Sequence, residues 1–261
     1  MYDNRPVGIF DSGVGGLTIF SEITKLLPNE SIIYFADQKN ILYSGKSKRE
    51  LEKITSNIVR FLIKNKGKLI VIACNTATVY AVDYLRSKFK VPIIGVVPVV
   101  KTAARITKSG RIGILSTAAT SKSKYQKDLI KRFANGLIVN NIGTDELVPF
   151  IETGDFKSAV LNKKMQNILK EFRGIDILAL GCSHYPFLRD KIQKILGPKV
   201  LILDSGPAVA RQVKRVLESN KILSNKKSKT KFFTTSNPAD FKRIVEKLIN
   251  AKLDTQDMAI I

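Results

Sequence analysis

Residues 70–76 have the sequence Ile70-Val71-Ile72-Ala73-Cys74-Asn75-Thr76, an apolar run that ends in a cysteine followed by small polar residues. A similar segment, Leu180-Gly181-Cys182-Ser183-His184, places the second cysteine 108 residues after the first. Short apolar runs bounded by turns are typical of buried parallel strands. Polar residues at the carboxyl ends of such strands point into the ligand crevice. The two segments therefore predict a matched pair of strand ends that face one substrate.

Apolar runs of this kind alternate with helical patterns along the whole chain, which is typical of parallel sheets covered by helices. Four runs fall at 7–10, 31–35, 69–73 and 93–97, and four more at 111–115, 137–141, 175–180 and 200–203. This repetition predicts a duplicated unit. We expect an α/β fold with two similar parallel-sheet α/β domains facing each other across a cleft.

Two further segments, a helix at 207–219 and a strand plus helix at 231–250, have no counterpart in the repeat. We expect both to return to the first domain. The predicted first domain is therefore 1–98 plus 207–261 and the second is 99–206. The boundaries fall near Pro98 and near Asp204-Ser205-Gly206, and we expect a loose tail beyond Lys252.

The composition excludes several protein classes. With 261 residues, 44% of them hydrophobic, the chain can bury large cores and is not a disordered protein. Neither a signal pattern nor a run of about 18 apolar residues occurs, so we expect a cytoplasmic protein without a membrane span. In that reducing compartment two cysteines are expected to be thiols.

The net charge of +22 is the one feature that favours a nucleic-acid partner. However, the basic residues are spread over amphipathic helical patterns, and the densest cluster, Lys226 to Lys231, lies in a polar connector. An aromatic stacking motif and a docking helix are both missing. We therefore expect no specific nucleic-acid partner, and a basic surface would also attract a small dicarboxylate.

A glycine-rich turn follows the first strand in Gly8-Ile9-Phe10-Asp11-Ser12-Gly13-Val14-Gly15-Gly16-Leu17-Thr18. Such a turn before a helix lets an anion approach backbone N–H groups, although the spacing fits neither the dinucleotide nor the Walker pattern. Asp11 would point into the crevice, and the alternative is that it caps the following helix. Elsewhere, Glu152 near a turn reads as a solvated helix residue, and Tyr43 lies in a loop of the type that often binds ligands.

Cys74 and Cys182 could be buried structural thiols, but their position at strand ends beside polar residues favours catalysis. His184 is the only histidine of the chain. Without CxxC spacing the three side chains match a zinc site poorly. A Cys/His hydrolase would leave Cys74 without a role, and a redox disulfide stays open as an alternative.

Together these segments resemble the glutamate racemases, cofactor-independent enzymes of the aspartate/glutamate racemase superfamily that supply D-glutamate for bacterial peptidoglycan. The resemblance covers nearly the whole chain and rests on six segments in the family's order. These are residues 8–18, Ala73-Cys74-Asn75-Thr76-Ala77, Gly95-Val96-Val97-Pro98, Val148-Pro149-Phe150-Ile151-Glu152, Gly181-Cys182-Ser183-His184-Tyr185-Pro186 and Asp204-Ser205-Gly206.

The resemblance implies racemisation of glutamate by two cysteines, with Asp11 assisting Cys74 and with His184 and Glu152 assisting Cys182. It implies no cofactor and no metal, and makes a homodimer the expected assembly. The residues that would bind the substrate are Asp11, Ser12, Tyr43, Ser44, Asn75, Thr76, Ser183 and His184. The family's Pro-Tyr-Gly is replaced by Leu42-Tyr43-Ser44, which leaves aspartate open as an alternative substrate.

Overall fold

The computed structural model describes residues 2–97, 99–250, 252 and 258–260. Residues 258–260 are described through their backbone alone. Within these residues the strands are β1 (Val7–Asp11), β2 (Ile32–Ala36), β3 (Leu69–Ile72), β4 (Ile93–Gly95), β5 (Arg111–Ser116), β6 (Ile138–Gly143), β7 (Ile177–Gly181), β8 (Leu201–Leu203), β9 (Thr230–Thr234) and β10 (Met258–Ile260). The α-helices are α1 (Leu17–Leu26), α2 (Lys48–Lys64), α3 (Asn75–Lys88), α4 (Val100–Ile106), α5 (Ala118–Lys122), α6 (Lys124–Phe133), α7 (Val148–Thr153), α8 (Ala159–Leu169), α9 (Arg189–Leu196), α10 (Gly206–Ser219) and α11 (Pro238–Ile249). Short 3-10 turns occur at Gln38–Asn40, Tyr43–Gly45, Lys170–Phe172 and Tyr185–Leu188.

The strands form two sheets in which every pairing is parallel. The first sheet has the order β10-β9-β2-β1-β3-β4 and the second has the order β6-β5-β7-β8. The order β2-β1-β3-β4 therefore recurs as β6-β5-β7-β8. The predicted fold of two similar parallel-sheet α/β units is confirmed, and we call them the first and the second lobe.

Strand register brings the candidate residues to the same edge of each sheet. In the first lobe Phe10 lies opposite Ile72, so that Asp11 and Cys74 both follow at the carboxyl edge. In the second lobe Ser116 lies opposite Gly181, the residue before Cys182. In parallel sheets the carboxyl ends of neighbouring strands lie at the same edge. The duplication therefore gives each lobe an equivalent edge that carries one of the cysteines.

The chain after the second sheet returns to the first lobe. Helix α10 packs against α1, and β9 pairs with β2. The division into 1–98 plus 207–261 and 99–206 stays a prediction, and Pro98 lies outside the described residues. The largest cluster of buried apolar side chains crosses between the lobes and includes Val14 and Leu17 from the first and Val148 and Ile151 from the second.

The loose tail expected beyond Lys252 is wrong for residues 258–260. These residues form β10, which pairs with β9 so that Met258 lies opposite Phe232. The pairing satisfies backbone groups of β9 that would otherwise form an open sheet edge. Residues 253–257 and 261 lie outside the described part of the chain.

Across the helices in the described part of the chain, none is both long and apolar enough to cross a membrane.

Candidate active site

Both cysteines line one narrow cavity between the lobes. Cys74 is the N-cap residue of α3 and follows β3, whereas Cys182 follows β7 in the other lobe. Their side chains are 6% and 5% exposed, and both are free thiols. The cavity has an empty volume of about 290 Å³. It is lined by Ser12, Leu42, Tyr43, Ser44, Cys74, Asn75, Thr76, Thr117, Val148, Cys182, Ser183 and His184.

Cys182 stands at the end of a row of three side chains. Its Sγ lies 3.8 Å from His184 Nδ1, and His184 Nε2 lies 2.6 Å from Glu152 Oε1. Burial works against a charged imidazole, but the hydrogen bonds to Cys182 and Glu152 outweigh it and raise the pKa of His184 well above its usual range. The imidazole therefore lies between a sulfur atom and a carboxyl group that both favour its charged form.

Cys74 has a different electrostatic environment. Burial, and after it the negative charge of Asp11, raises the pKa of the Cys74 thiol far above its usual value. The Ala77 N–H, which donates to Cys74 Sγ at 3.5 Å, opposes this effect only in part. Burial also raises the pKa of Asp11, a fully buried carboxyl group. Cys74 therefore keeps its proton in the free protein.

Asp11 links the glycine turn to the second lobe rather than capping a helix. Its Oδ1 accepts from Gly13 N–H at 2.8 Å, and its Oδ2 accepts from the Ser183 hydroxyl at 2.9 Å. Helix α1 has Gly16 as its N-cap residue, without a side-chain cap. The capping alternative for Asp11 is therefore wrong. Ser12 Oγ lies 3.5 Å from Asp11 Oδ1 and lines the cavity.

The backbone of the glycine turn binds a carboxylate of the protein itself, that of Glu152. Glu152 Oε1 accepts from Val14 N–H at 2.8 Å, so the carboxylate enters the turn from the second lobe. A Cβ on Gly13 would lie 2.6 Å from Glu152 Cδ, and a Cβ on Gly15 would lie 2.6 Å from His184 Cε1. Glycine is therefore needed at both positions for this close approach. Glu152, taken by its surroundings in the sequence for a solvated helix residue, is an interlobe contact.

The amino end of α3 supplies polar groups to the cavity. Asn75 is 3% exposed, and no group of the described residues forms a hydrogen bond with its Nδ2. Thr76 Oγ1 lies 2.9 Å from Thr117 Oγ1 and 3.3 Å from Thr120 Oγ1, both in the second lobe. A buried donor without a partner lowers stability by about 1–3 kcal/mol. A bound carboxylate that accepted a hydrogen bond from Asn75 Nδ2 would remove this penalty.

Tyr43 and Ser44 line the cavity, yet their hydroxyl groups bond to protein. The Tyr43 hydroxyl donates to Asp37 Oδ2 at 2.7 Å. The Ser44 hydroxyl donates to Asp145 Oδ2 at 2.9 Å and accepts from Ala119 N–H at 3.0 Å, and both partners belong to the second lobe. In this closed arrangement the serine that replaces the family's glycine joins the two lobes.

Sequence reasoning missed three groups at this site. Thr117 lines the cavity, Gln38 donates to Glu152, and Asp37 holds Tyr43. Thr117 could have been found from the duplication, because it follows β5 as Ser12 follows β1. Asp37 and Gln38 directly follow β2, so the strand-end signal applies to them as well, but nothing in the sequence pairs them with Tyr43 or Glu152.

Comparison with known proteins gives the family. The family profile described as Asp/Glu/Hydantoin racemase matches residues 18–213. The chain belongs to this racemase family. A glutamate racemase from Herpetosiphon aurantiacus is 40% identical to it over 245 residues, which cover 92% of this chain and 96% of that relative.

Solved structures of the family have the same fold. Glutamate racemase isoform RacE1 from Bacillus anthracis aligns with a TM-score of 0.89 at 31% identity and covers 100% of this chain and 98% of its own. The Escherichia coli glutamate racemase, in complex with L-glutamate and the activator UDP-MurNAc-ala, aligns with a TM-score of 0.85 at 32% identity, covering 94% and 95%. The resemblance to the glutamate racemases is confirmed, and with it the expectation that the chain is an isomerase.

Proposed function

We propose that this racemase interconverts L-glutamate and D-glutamate without a cofactor, with Cys74 and Cys182 exchanging the α-proton on opposite faces of the substrate. The observation that carries this proposal is the position of the two free thiols. They come from equivalent strand ends of different lobes and line the same narrow cavity. They are also close enough for charge on Cys182 to raise the pKa of Cys74, after the larger effects of burial and Asp11.

In the proposed reaction the thiolate of one cysteine takes the α-proton, and the electron pair of the broken C–H bond stays on the α-carbon. The thiol of the other cysteine then donates its proton to that carbon from the opposite face. The first cysteine ends as a thiol and the second as a thiolate, so the roles reverse in the next turnover. Each sulfur must approach the α-carbon to about 3–3.5 Å, which separates the sulfurs by roughly 7 Å. A disulfide of about 2.05 Å would exclude this geometry.

The carbanion is the costly species, and fixed donors would have to stabilise charge on the α-carboxylate. The unpartnered Nδ2 of Asn75 and the hydroxyl groups of Thr76 and Thr117 are donors of this kind beside Cys74. The positive α-ammonium of the substrate would favour the Cys74 thiolate, which burial and Asp11 disfavour in the free protein. Asp11 would assist Cys74, while His184 and Glu152 would assist Cys182. Closed lobes would keep water out of the cavity.

The product D-glutamate would serve peptidoglycan synthesis, and so cell-wall formation and cell shape, in the cytoplasm. Support for glutamate as the substrate comes from the relatives, one of which holds L-glutamate in its structure. The expected homodimer and the absence of a specific nucleic-acid partner are part of the same proposal.

The test uses purified protein without added cofactor and follows the optical activity of L-glutamate and, separately, of D-glutamate. Cys74→Ser and Cys182→Ser are expected to abolish racemisation. In deuterium oxide each variant is expected to exchange the α-proton of one enantiomer only, through its remaining thiol. The exposed Ser219→Ala serves as the control. Full racemisation by either cysteine variant would overturn the two-thiol mechanism.

Two other outcomes have separate meanings. Racemisation of aspartate but not glutamate would overturn the substrate and leave the two-thiol chemistry in place. A sequence-preferring complex with duplex DNA that survives physiological salt, in a protein without racemase activity, would support the nucleic-acid alternative.

A further inference from the structure

On the Cys182 side the hydrogen bonds continue beyond Glu152. Gln38, in the 3-10 turn that follows β2, donates from Nε2 to Glu152 Oε2 at 3.0 Å. Its Oε1 accepts from the Thr234 hydroxyl at 2.9 Å. Thr234 is the last residue of β9 and is fully buried. A continuous row of side chains therefore joins β9 to Cys182 across both lobes.

The direction of the first bonds in this row follows from the carboxylate of Glu152 and is compatible with the backbone N–H of Ser236. Ser236 N–H, which can only donate, bonds to Thr234 Oγ1 at 3.1 Å. Because the Glu152 carboxylate only accepts, the amide NH₂ of Gln38 must face it, and Gln38 Oε1 then accepts the hydroxyl hydrogen of Thr234. The reversed amide would place its oxygen against a carboxylate. By donating to Gln38 Oε1, Thr234 holds the amide in the orientation that presents its NH₂ to Glu152.

The direction of the remaining bonds follows from the chemistry of a carboxylate, which only accepts. Glu152 accepts from Gln38 on Oε2, so that His184 Nε2, at 2.6 Å from Oε1, carries a hydrogen. The other ring nitrogen, Nδ1, then faces Cys182 Sγ. The row therefore fixes the orientation of the imidazole at the thiol.

We propose that Gln38 and Thr234 are positioning residues for the acid/base group at Cys182, acting through Glu152 and His184. This inference rests on the two-thiol function proposed above. Gln38 belongs to the first lobe, whereas Glu152 lies on α7 in the second, so the bond between them depends on the lobes meeting. The row thus makes the acid/base group at Cys182 complete only where the two lobes are in contact.

The only histidine of the chain gives a readout that does not depend on activity. Protein labelled with ¹⁵N-histidine has ring signals from His184 alone, and these signals report its protonation and tautomer. We expect Gln38→Leu and Thr234→Val to move the ring signals, and Thr234→Ser, which keeps the hydroxyl, to restore them. Thr230→Val, the same change at the opposite end of β9, is the matched control. Ring signals of Thr234→Val that coincide with those of Thr230→Val would overturn the proposal.

A second readout separates the two thiols. With Cys74→Ser, α-proton exchange depends on Cys182, and adding Gln38→Leu is expected to slow that exchange about tenfold, because Glu152 loses a charge-assisted hydrogen bond. With Cys182→Ser, exchange depends on Cys74, and Gln38→Leu is expected to leave it within about twofold. An equal loss in both backgrounds would indicate a general structural defect and would overturn the positioning role.

These experiments keep the two proposals apart. If Cys74→Ser alone exchanges no proton with either enantiomer, the two-thiol function fails, and the histidine signals still decide whether Gln38 and Thr234 orient His184. If that variant exchanges normally and Gln38→Leu has no effect on it, the positioning role fails while the two-thiol function stands.

Discussion

Gly13→Ala is the most direct test of how the glycine turn serves the site. The added Cβ would lie 2.6 Å from Glu152 Cδ and 2.8 Å from Oε2, whereas ordinary contact begins at 3.4 Å. Glu152 Oε1 lies closer still, so the carboxylate would have to retreat by more than about 0.8 Å. It cannot do so and keep its bonds of 2.8 Å from Val14 N–H and 2.6 Å from His184 Nε2.

The expected losses follow from these two bonds. A hydrogen bond to a charged group contributes about 1.5–3 kcal/mol, and a misplacement of about 1 Å in a catalytic group costs on the order of 100-fold in rate. We expect kcat/KM for glutamate to fall about 100-fold. The free energy of unfolding should fall by only about 1–3 kcal/mol, as for other overpacked sites.

Racemisation would be followed by circular dichroism from each enantiomer, and unfolding would be followed by denaturant titration of the same preparations. Gly45→Ala is the matched control, because a Cβ on Gly45 meets no atom within 4 Å in the part of the chain that the structure describes. It is expected to change neither measurement beyond about 0.5 kcal/mol. A Gly13→Ala protein with kcat/KM within twofold of the original would refute the role assigned to Glu152 in the turn.

Three further changes test separate parts of the site and fold. Asn75→Leu is expected to raise KM for glutamate about tenfold or more. The free energy of unfolding should stay equal or rise by up to about 1 kcal/mol, because the substitution removes a buried donor without a partner. A lower free energy of unfolding would contradict the assignment of Asn75 as an unsatisfied donor. Asp11→Asn is expected to lower the pKa of the Cys74 thiol, because the negative charge of Asp11 is removed and only burial remains as a main cause of the raised value. The pKa is measured from the pH dependence of Cys74 alkylation in the Cys182→Ser background. At Asp176 burial opposes ionisation, but hydrogen bonds from Thr107, Lys108 and Ser109 outweigh it and hold the pKa well below its usual value. Its contribution to stability is present above the unfolded pKa near 4 and disappears as pH falls through the folded value, so Asp176→Asn should cost about 1 kcal/mol at pH 7 and progressively less in acid, measured by denaturant titration at each pH.

Most strands could be located from sequence because parallel strands buried on both faces are continuous apolar runs. All five residues of β1 and all five of β7 are buried. The boundaries of the strands could be predicted less accurately. A strand can stop pairing with its neighbour before its apolar run stops, because a side chain takes over the backbone hydrogen bond. The expected strand at 93–97 stops at Gly95, and Val96 N–H donates to the Thr78 hydroxyl of α3 instead of to a neighbouring strand.

The position of the candidate site followed from sequence only where strand ends define it. Asp11 ends β1, and Cys74 and Cys182 follow β3 and β7, so register brings each of them to the carboxyl edge of its sheet. Glu152 reaches Val14 across 138 residues from a six-residue helix, and Gln38 reaches Glu152 across 114 residues. Contacts of this kind depend on how the lobes pack, which the local pattern of residues does not encode.

The duplication gives the two thiols equivalent positions but different neighbours. Burial and Asp11 raise the pKa of Cys74, while Cys182 faces a histidine whose own pKa is raised through bonds to Cys182 and Glu152. The enantiomers of glutamate have equal free energies, so this difference cannot favour either product. It follows that kcat/KM must be equal in the two directions, and the asymmetry must change kcat and KM by the same factor. We expect unequal kcat values for L- and D-glutamate with matching ratios of KM, measurable in progress curves from each enantiomer. Equal kcat and equal KM for both would mean that the unlike neighbours of the two thiols have no effect on turnover.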